Sequence, residues 1–145
     1  MAETLGMLCD KLTIVRLKQY HTEDKKRLAS LEKQSLQLQE EINEYLTNAI
    51  QGNIPLERMN FESNKVFKQE GNIVGEVAGN FGEVMVQLAD VNCRLWHEQE
   101  KVYEFEKVPA NEKDKVVKNL ALMNLERNKC IDKINSLFAG MIKKK

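Results

Sequence analysis

The fold is decided by residues 4–24, which read TLGMLCDKLTIVRLKQYHTED. The apolar residues of this stretch recur at steps of three and four: Leu5, Leu8, Leu12 and Val15. Such spacing is typical of an α-helix that packs along one side. Thr4 stands directly before the stripe and is a suitable N-cap. The stretch therefore predicts an amphipathic helix that begins at Leu5.

A second apolar stripe continues through a region rich in Glu, Gln and Lys: Leu28, Leu31, Ser35, Leu38, Ile42, Tyr45 and Ala49. No glycine or proline separates the two stripes, so residues 5–50 form either one helix or two helices with a bend between His21 and Ser30. A single helix of about 45 residues would span roughly 65 Å, which exceeds a compact domain of this size. Its overhang would need cover from another subunit, so the long stripe predicts a homo-oligomer.

The middle of the chain, residues 51–79, is rich in helix-breaking residues: Gly52, Pro55, Gly71, Gly75 and Gly79. We interpret it as a connector with one short helix around Leu56 to Glu70. Asn80 and Glu83 then form a capping box pattern that opens a third helix. Pro109 ends that helix, and the last one runs to Gly140 along a further stripe: Val117, Leu120, Asn124, Arg127, Ile131, Ile134 and Phe138.

Residues 80–100, NFGEVMVQLADVNCRLWHEQE, repeat residues 4–24 without a gap. The two stretches share an N-cap residue at the start, a glycine two positions later and an aromatic-His-x-x-acid motif near the end. The repeat predicts an all-α fold, a four-helix bundle of two pseudo-repeated long helical hairpins about a pseudo-twofold axis. We expect a single domain over 1–145, with a first helical unit at 1–50, the connector at 51–79 and a second unit at 80–142.

Composition excludes several functional classes. Lys plus Arg and Asp plus Glu both number 22, so no net field draws the chain to nucleic acid or to an anionic membrane. No stretch approaches the roughly 20 apolar residues of a membrane span, and no export signal is visible. The 3 cysteines lack metal-binding spacing and suit a reducing compartment. We expect a cytoplasmic protein without a built-in cofactor.

The two histidines of the sequence occupy matched places in the repeat, as Tyr20-His21 and Trp96-His97. An acid three residues further on shares the helix face of each imidazole, and its carboxylate can orient the ring. Each histidine is either a satisfied polar residue near the middle of the bundle or a contact to a ligand.

Asn124 and Arg127 stand where the last helix should present its apolar seam. A guanidinium in such a position needs an anion or a carboxylate beside it to offset its desolvation. Asp90 or Glu100 of the third helix could supply that carboxylate from within the protein.

The alternative is a half-buried pocket for a phosphate or another anionic ligand. Arg94, His97 and Arg127 would face the anion, and Trp96 would form a stacking wall. Because the first half lacks the Asn124 and Arg127 pair, this interpretation predicts one working site, in the second half.

Carboxylates at three-residue steps give a further pattern: Glu41 and Glu44, then Glu83 and Asp90. Such residues on facing helices can hold Mg²⁺ beside a triphosphate. The pattern resembles the acidic core of the all-α nucleoside triphosphate pyrophosphohydrolases of the MazG type. Gln87 stands where that family has a carboxylate. The resemblance implies a Mg²⁺-dependent hydrolysis as an alternative function.

The Asp10-Lys11-Leu12-Thr13-Ile14 stretch, running into Tyr20-His21, resembles an uncharacterised family of small all-helical proteins of bacteria and phages. Leu95-Trp96-His97-Glu98 and Asn124-x-x-Arg127 are similar again in the second half. The resemblance implies a helical bundle and no particular reaction.

The sequence thus favours a non-enzymatic helical protein that binds a small anionic, nucleotide-like ligand or a partner protein. Residues predicted to contact it are Tyr20, His21, Arg94, Trp96, His97, Asn124 and Arg127. Two alternatives stay open, namely the Mg²⁺-dependent pyrophosphohydrolase and a purely structural bundle whose second helix pairs with a partner through its apolar stripe.

Overall fold

The protein is all-α in the computed structural model, which describes residues 3–62 and 76–145. Four α-helices follow one another: α1 Leu5–His21, α2 Lys25–Ile50, α3 Phe81–Tyr103 and α4 Lys113–Lys143. Short 3₁₀ turns occupy Leu56–Arg58, Phe105–Lys107 and Ala110–Glu112. The predicted all-α helical bundle is confirmed. The predicted connector helix is seen only at Leu56–Arg58, and the remainder of that prediction extends beyond the described residues.

Both predicted N-caps are present at the matched positions of the repeat. The Thr4 hydroxyl accepts a hydrogen bond from the backbone N–H of Met7 at 3.4 Å. Asn80 and Glu83 form the reciprocal capping box, because each side chain accepts a hydrogen bond from the other residue's backbone N–H. These caps satisfy N–H groups that the first turn of a helix leaves without partners.

Residues 5–50 form two helices, so the single helix of about 45 residues is wrong. The carboxylate of Asp24 accepts hydrogen bonds from the backbone N–H groups of Lys26 and Arg27 and starts α2 afresh. α2 turns back along α1, and Gln19 donates across the pair to Glu32 at 3.1 Å. With 26 residues, α2 is about 39 Å long. The overhang that motivated the predicted oligomer is therefore absent.

The closest helix pairs are α1 with α2 and α3 with α4, which form two hairpins, and α1 also packs on α4 and α3. The core between them consists of fully buried side chains: Leu8, Val84, Leu88, Val91, Cys130 and Ile134. α2 reaches α4 through the Tyr45 and Phe138 rings, whose centroids lie 6.2 Å apart. In the helix stripe predicted for α4, Val117 is 56% exposed and its neighbour Val116 is buried instead.

The hairpins do not pack with the predicted pseudo-twofold symmetry. In a bundle with that symmetry, α2 would pack on α3 just as α4 packs on α1. Among the described helices, however, α2 packs closely only on α1. Gly6 explains the close α1–α4 pair, because a Cβ atom there would overlap the carbonyl oxygen of Ile131. Its N–H donates to Asn135 Oδ1 at 2.8 Å. The repeat partner Gly82 has no such neighbour.

None of the helices in 3–62 and 76–145 combines the length and apolarity needed to cross a bilayer.

Candidate functional site

Four of the residues singled out by the sequence meet where the C-terminal end of α1 lies beside α3. The His21 ring stacks on the Trp96 ring with centroids 4.7 Å apart and planes inclined by 12°. His97 and Tyr20 approach His21 edge-on, at 6.2 and 5.2 Å between centroids. We call Tyr20, His21, Trp96 and His97 the aromatic cluster. It is assembled from both halves of the chain at a single place.

A cavity of about 460 Å³ opens beside the aromatic cluster, where α2 begins. His21, Trp96 and the buried Leu31 give it ring and apolar surface. Its polar lining comes from Lys18, Thr22, Arg27, Ser30 and Gln34. We call this cavity the cationic pocket. Its volume lies in the range of small-molecule sites, roughly 300–1,000 Å³.

The charges of the cationic pocket are all positive. Lys18 and Arg27 line it, no carboxylate does, and neither cation forms a salt bridge within the described part of the chain. The nearby Asp24 directs its carboxylate to the backbone N–H groups that start α2. Because these two cations are not neutralised, the pocket is suited to an anion.

Arg127 is paired with Asp10, not with Asp90 or Glu100 as predicted. Its Nε donates to both Asp10 oxygens at 3.0 and 3.1 Å, and Nη2 donates to Oδ2 at 2.6 Å. This hydrogen bonding raises the pKa of Arg127. Asp90 and Glu100 are exposed. A carboxylate therefore does offset the guanidinium, but it comes from α1.

Asp10 of α1 is 3% exposed, and its carboxylate is held by side chains of two other helices, α3 and α4. Asn92 of α3 donates to its Oδ1 at 3.0 Å and to the Thr13 hydroxyl at 2.8 Å. We call Asp10, Asn92 and Arg127 the buried polar network. The sequence offered one sign of it, since Gly6, Asp10 and Thr13 recur at helical steps as a second, small and polar face of α1.

The other predicted ligand contacts lie outside the cationic pocket. Arg94 forms a salt bridge with Glu126 at 2.9 Å, and the Asn124 carbonyl accepts from the Asn128 side chain at 2.8 Å. His97 and Tyr20 are exposed beside His21. Of the predicted residues, His21 and Trp96 therefore line the pocket. Sequence reasoning missed Lys18 and Arg27.

A larger cavity of about 870 Å³ extends from the cationic pocket between α1, α2 and α4. We call it the long groove. Its apolar lining is Met7, Ile14, Val15, Leu38 and Ile131. It shares Lys18 and Gln34 with the cationic pocket, so the two cavities are neighbours.

The four carboxylates of the pyrophosphohydrolase interpretation are dispersed. Glu41 lines the long groove, and Glu44 is exposed beside a separate surface depression. Glu83 caps α3, and Asp90 is exposed. Across the described ranges, no three His, Cys, Asp or Glu side chains are placed to hold a metal ion together. The geometry therefore gives this interpretation no shared Mg²⁺ site.

Comparison of the chain with family models, with curated proteins and with solved structures produced no match. The resemblance to small helical bacterial and phage proteins accordingly stays a prediction.

Proposed function

We propose that the protein is a non-enzymatic binding protein for a small anionic ligand that carries a planar ring, of the nucleotide kind. The observation that carries the proposal is the cationic pocket. It combines a stacked His21–Trp96 wall with Lys18 and Arg27, two cations that lack a carboxylate partner among the described residues.

The ring of the ligand would lie against the wall of the pocket. Aromatic side chains bind planar rings by stacking, and for nucleobases a single stack contributes about 1–3 kcal/mol. His21 covers one face of Trp96 and restricts the motion of the indole, so little side-chain freedom is lost when a ligand arrives.

The phosphate of the ligand would lie between Lys18 and Arg27. Arginine forms paired hydrogen bonds with phosphate oxygens, and lysine adds a compact charge. The hydroxyls of Thr22 and Ser30 also line the pocket and can donate to the same oxygens.

We also propose a cytoplasmic location and a homo-oligomeric assembly. Cys9, Cys93 and Cys130 are free thiols, which suits a reducing, cytoplasmic compartment where nucleotides are abundant. A homo-oligomer remains part of the proposal, with support from two exposed tyrosines, Tyr20 and Tyr103, since interfaces are enriched in tyrosine. Light scattering at micromolar concentration tests it, and a monodisperse monomer would contradict it.

Isothermal titration calorimetry with AMP, GMP, CMP and UMP tests the ligand. We expect at least one of them to bind, and Arg27→Ala to weaken that binding at least tenfold, which is about 1.4 kcal/mol. The matched control is Lys26→Ala, which removes the same charge from the neighbouring exposed residue outside the pocket. Absence of binding at millimolar nucleotide, or equal losses in both variants, would contradict the proposal.

A further inference from the structure

The long groove offers space beyond the cationic pocket that a nucleoside monophosphate would leave empty. The groove has about 870 Å³ and the pocket about 460 Å³. Lys18 and Gln34 line both cavities, so they mark the junction between them. A ligand long enough to pass Lys18 would therefore occupy both the pocket and the groove.

The positive charge at the junction matches two phosphates. Lys18 and Arg27 are the two unpaired cations of the cationic pocket, and Lys18 is the one that also faces the groove. A diphosphate that runs from Arg27 toward Lys18 would place one phosphate beside each cation, with its far end directed into the groove.

Beyond Lys18 the two cations of the groove are already compensated. Arg127 is bound by Asp10, and Lys11 is paired with Glu3. Glu41 has no cation partner in the described residues and receives one hydrogen bond, from Gln37. This part of the groove therefore repels a further phosphate and accepts a neutral group.

The side chains of the groove match a hydroxyl-rich group. Gln37 and Asn128 line it and carry both donors and acceptors, and Glu41 can accept from hydroxyls. The Nη1 group of Arg127 has no hydrogen-bond partner in the described residues, and the side chain is 30% exposed toward this cavity. The apolar floor, which includes Leu38, suits the C–H face of a sugar ring.

We infer that the ligand is a nucleoside diphosphate whose terminal phosphate carries a neutral sugar, with the sugar in the long groove. This inference rests on the proposed function and assigns its ligand class. The ring lies at Trp96, the diphosphate at Arg27 and Lys18, and the sugar between Gln37 and Asn128.

Calorimetry tests the inference with three probes for each base: the nucleoside diphosphate, its triphosphate and its sugar conjugate, such as UDP, UTP and UDP-glucose. For the preferred base we expect the sugar conjugate to bind at least tenfold tighter than the diphosphate. The triphosphate should bind no tighter than the diphosphate, because its third phosphate meets Glu41.

Variants separate the groove from the pocket. Gln37→Leu and Asn128→Leu should reduce the advantage of the sugar conjugate severalfold and leave diphosphate binding unchanged. Glu41→Gln should strengthen triphosphate binding. Asn43→Leu, an exposed amide of α2 outside the groove, is the control and should change none of these affinities.

The outcomes distinguish the two proposals. Equal affinity for diphosphate and sugar conjugate, or tightest binding of the triphosphate, would overturn this inference and leave the proposed function standing. Binding of none of the probes would overturn both.

Discussion

His21 stacks on Trp96 with ring centroids 4.7 Å apart, although the two residues belong to different halves of the repeat. Tyr20, which corresponds to Trp96 in the first half, is 85% exposed. The two copies of the aromatic-His motif have therefore taken different roles. One contributes its histidine and the other its indole to a single wall of the cationic pocket.

Removal of His21 should uncover one face of Trp96. We expect His21→Ala to raise the acrylamide quenching constant of the fluorescence of Trp96, the one tryptophan in the sequence, about twofold. His97→Ala is the control, since His97 approaches His21 edge-on and is not part of the stack. Equal quenching in wild type and His21→Ala would show that the stack does not persist in solution.

Arg127→Leu should destabilise the protein by about 2–4 kcal/mol, because it leaves the Asp10 carboxylate buried without its cation. Urea unfolding measures the loss. The exposed pair of Arg94 and Glu126 supplies the comparison, and Arg94→Ala should cost less than about 1 kcal/mol. In a double-mutant cycle, Asp10→Ala combined with Arg127→Leu should cost less than the sum of the single changes. Additive costs would contradict the pairing.

Gly6 and Gly82 occupy matched positions of the repeat and should respond oppositely to alanine. At Gly6 a Cβ atom overlaps the Ile131 carbonyl oxygen and comes within 2.9 Å of Asn135 Oδ1, so α1 and α4 must separate. We expect a loss of about 2–3 kcal/mol from this overpacking. At Gly82 the nearest atom is 3.7 Å away, and alanine should add about 0.5–1 kcal/mol through helix propensity. Thermal unfolding of both variants measures the two changes in stability. Changes of the same sign and similar size would contradict the asymmetric packing of the two glycines.

Stability should fall in alkali because of two buried thiols. Burial raises the pKa of Cys9 and of Cys130 from 9.0 to about 11. Between these values the folded state keeps protons that the unfolded state releases, so a rise in pH favours unfolding. The contribution is complete below pH 9 and is lost as the pH passes 11, by roughly 2–3 kcal/mol per thiol.

Urea unfolding at a series of pH values from 8 to 11 measures this loss. Cys130→Ala should make the decline with pH shallower, even though it lowers stability at pH 8 by leaving a cavity. An equally steep decline in Cys130→Ala and wild type would exclude the thiol as its cause.

Local signals in the sequence were sufficient for the helices. Thr4 and Asn80 start α1 and α3 as predicted, because a cap and the first turn depend on residues within a few positions. The sequence alone did not decide whether residues 5–50 form one helix or two, because no glycine or proline marks a break before α2. Asp24 causes the break instead. Its carboxylate caps α2, so the second apolar stripe belongs to a new helix.

The candidate site was predicted only in part, because its geometry depends on helix packing. His21 and Trp96 stood out by residue type, and both line the pocket. Lys18 and Arg27 resemble any other surface cations until the turn at residues 22–24 brings the start of α2 beside the end of α1. The partner of Arg127 was missed for a similar reason, since periodicity gives the face of a side chain and no distance between helices.

The central claim is that an anionic ligand with a planar ring binds beside Trp96. Because the sequence contains a single tryptophan, its indole N–H gives one resonance in a ¹H–¹⁵N NMR spectrum, and titration with the nucleotide that binds in calorimetry follows that resonance. The account predicts a saturable shift of the indole resonance in wild type and in Lys26→Ala, and in Arg27→Ala a shift that needs at least about tenfold more nucleotide to reach half of its maximum. An indole resonance that stays in place while the nucleotide saturates the wild-type protein would contradict the account.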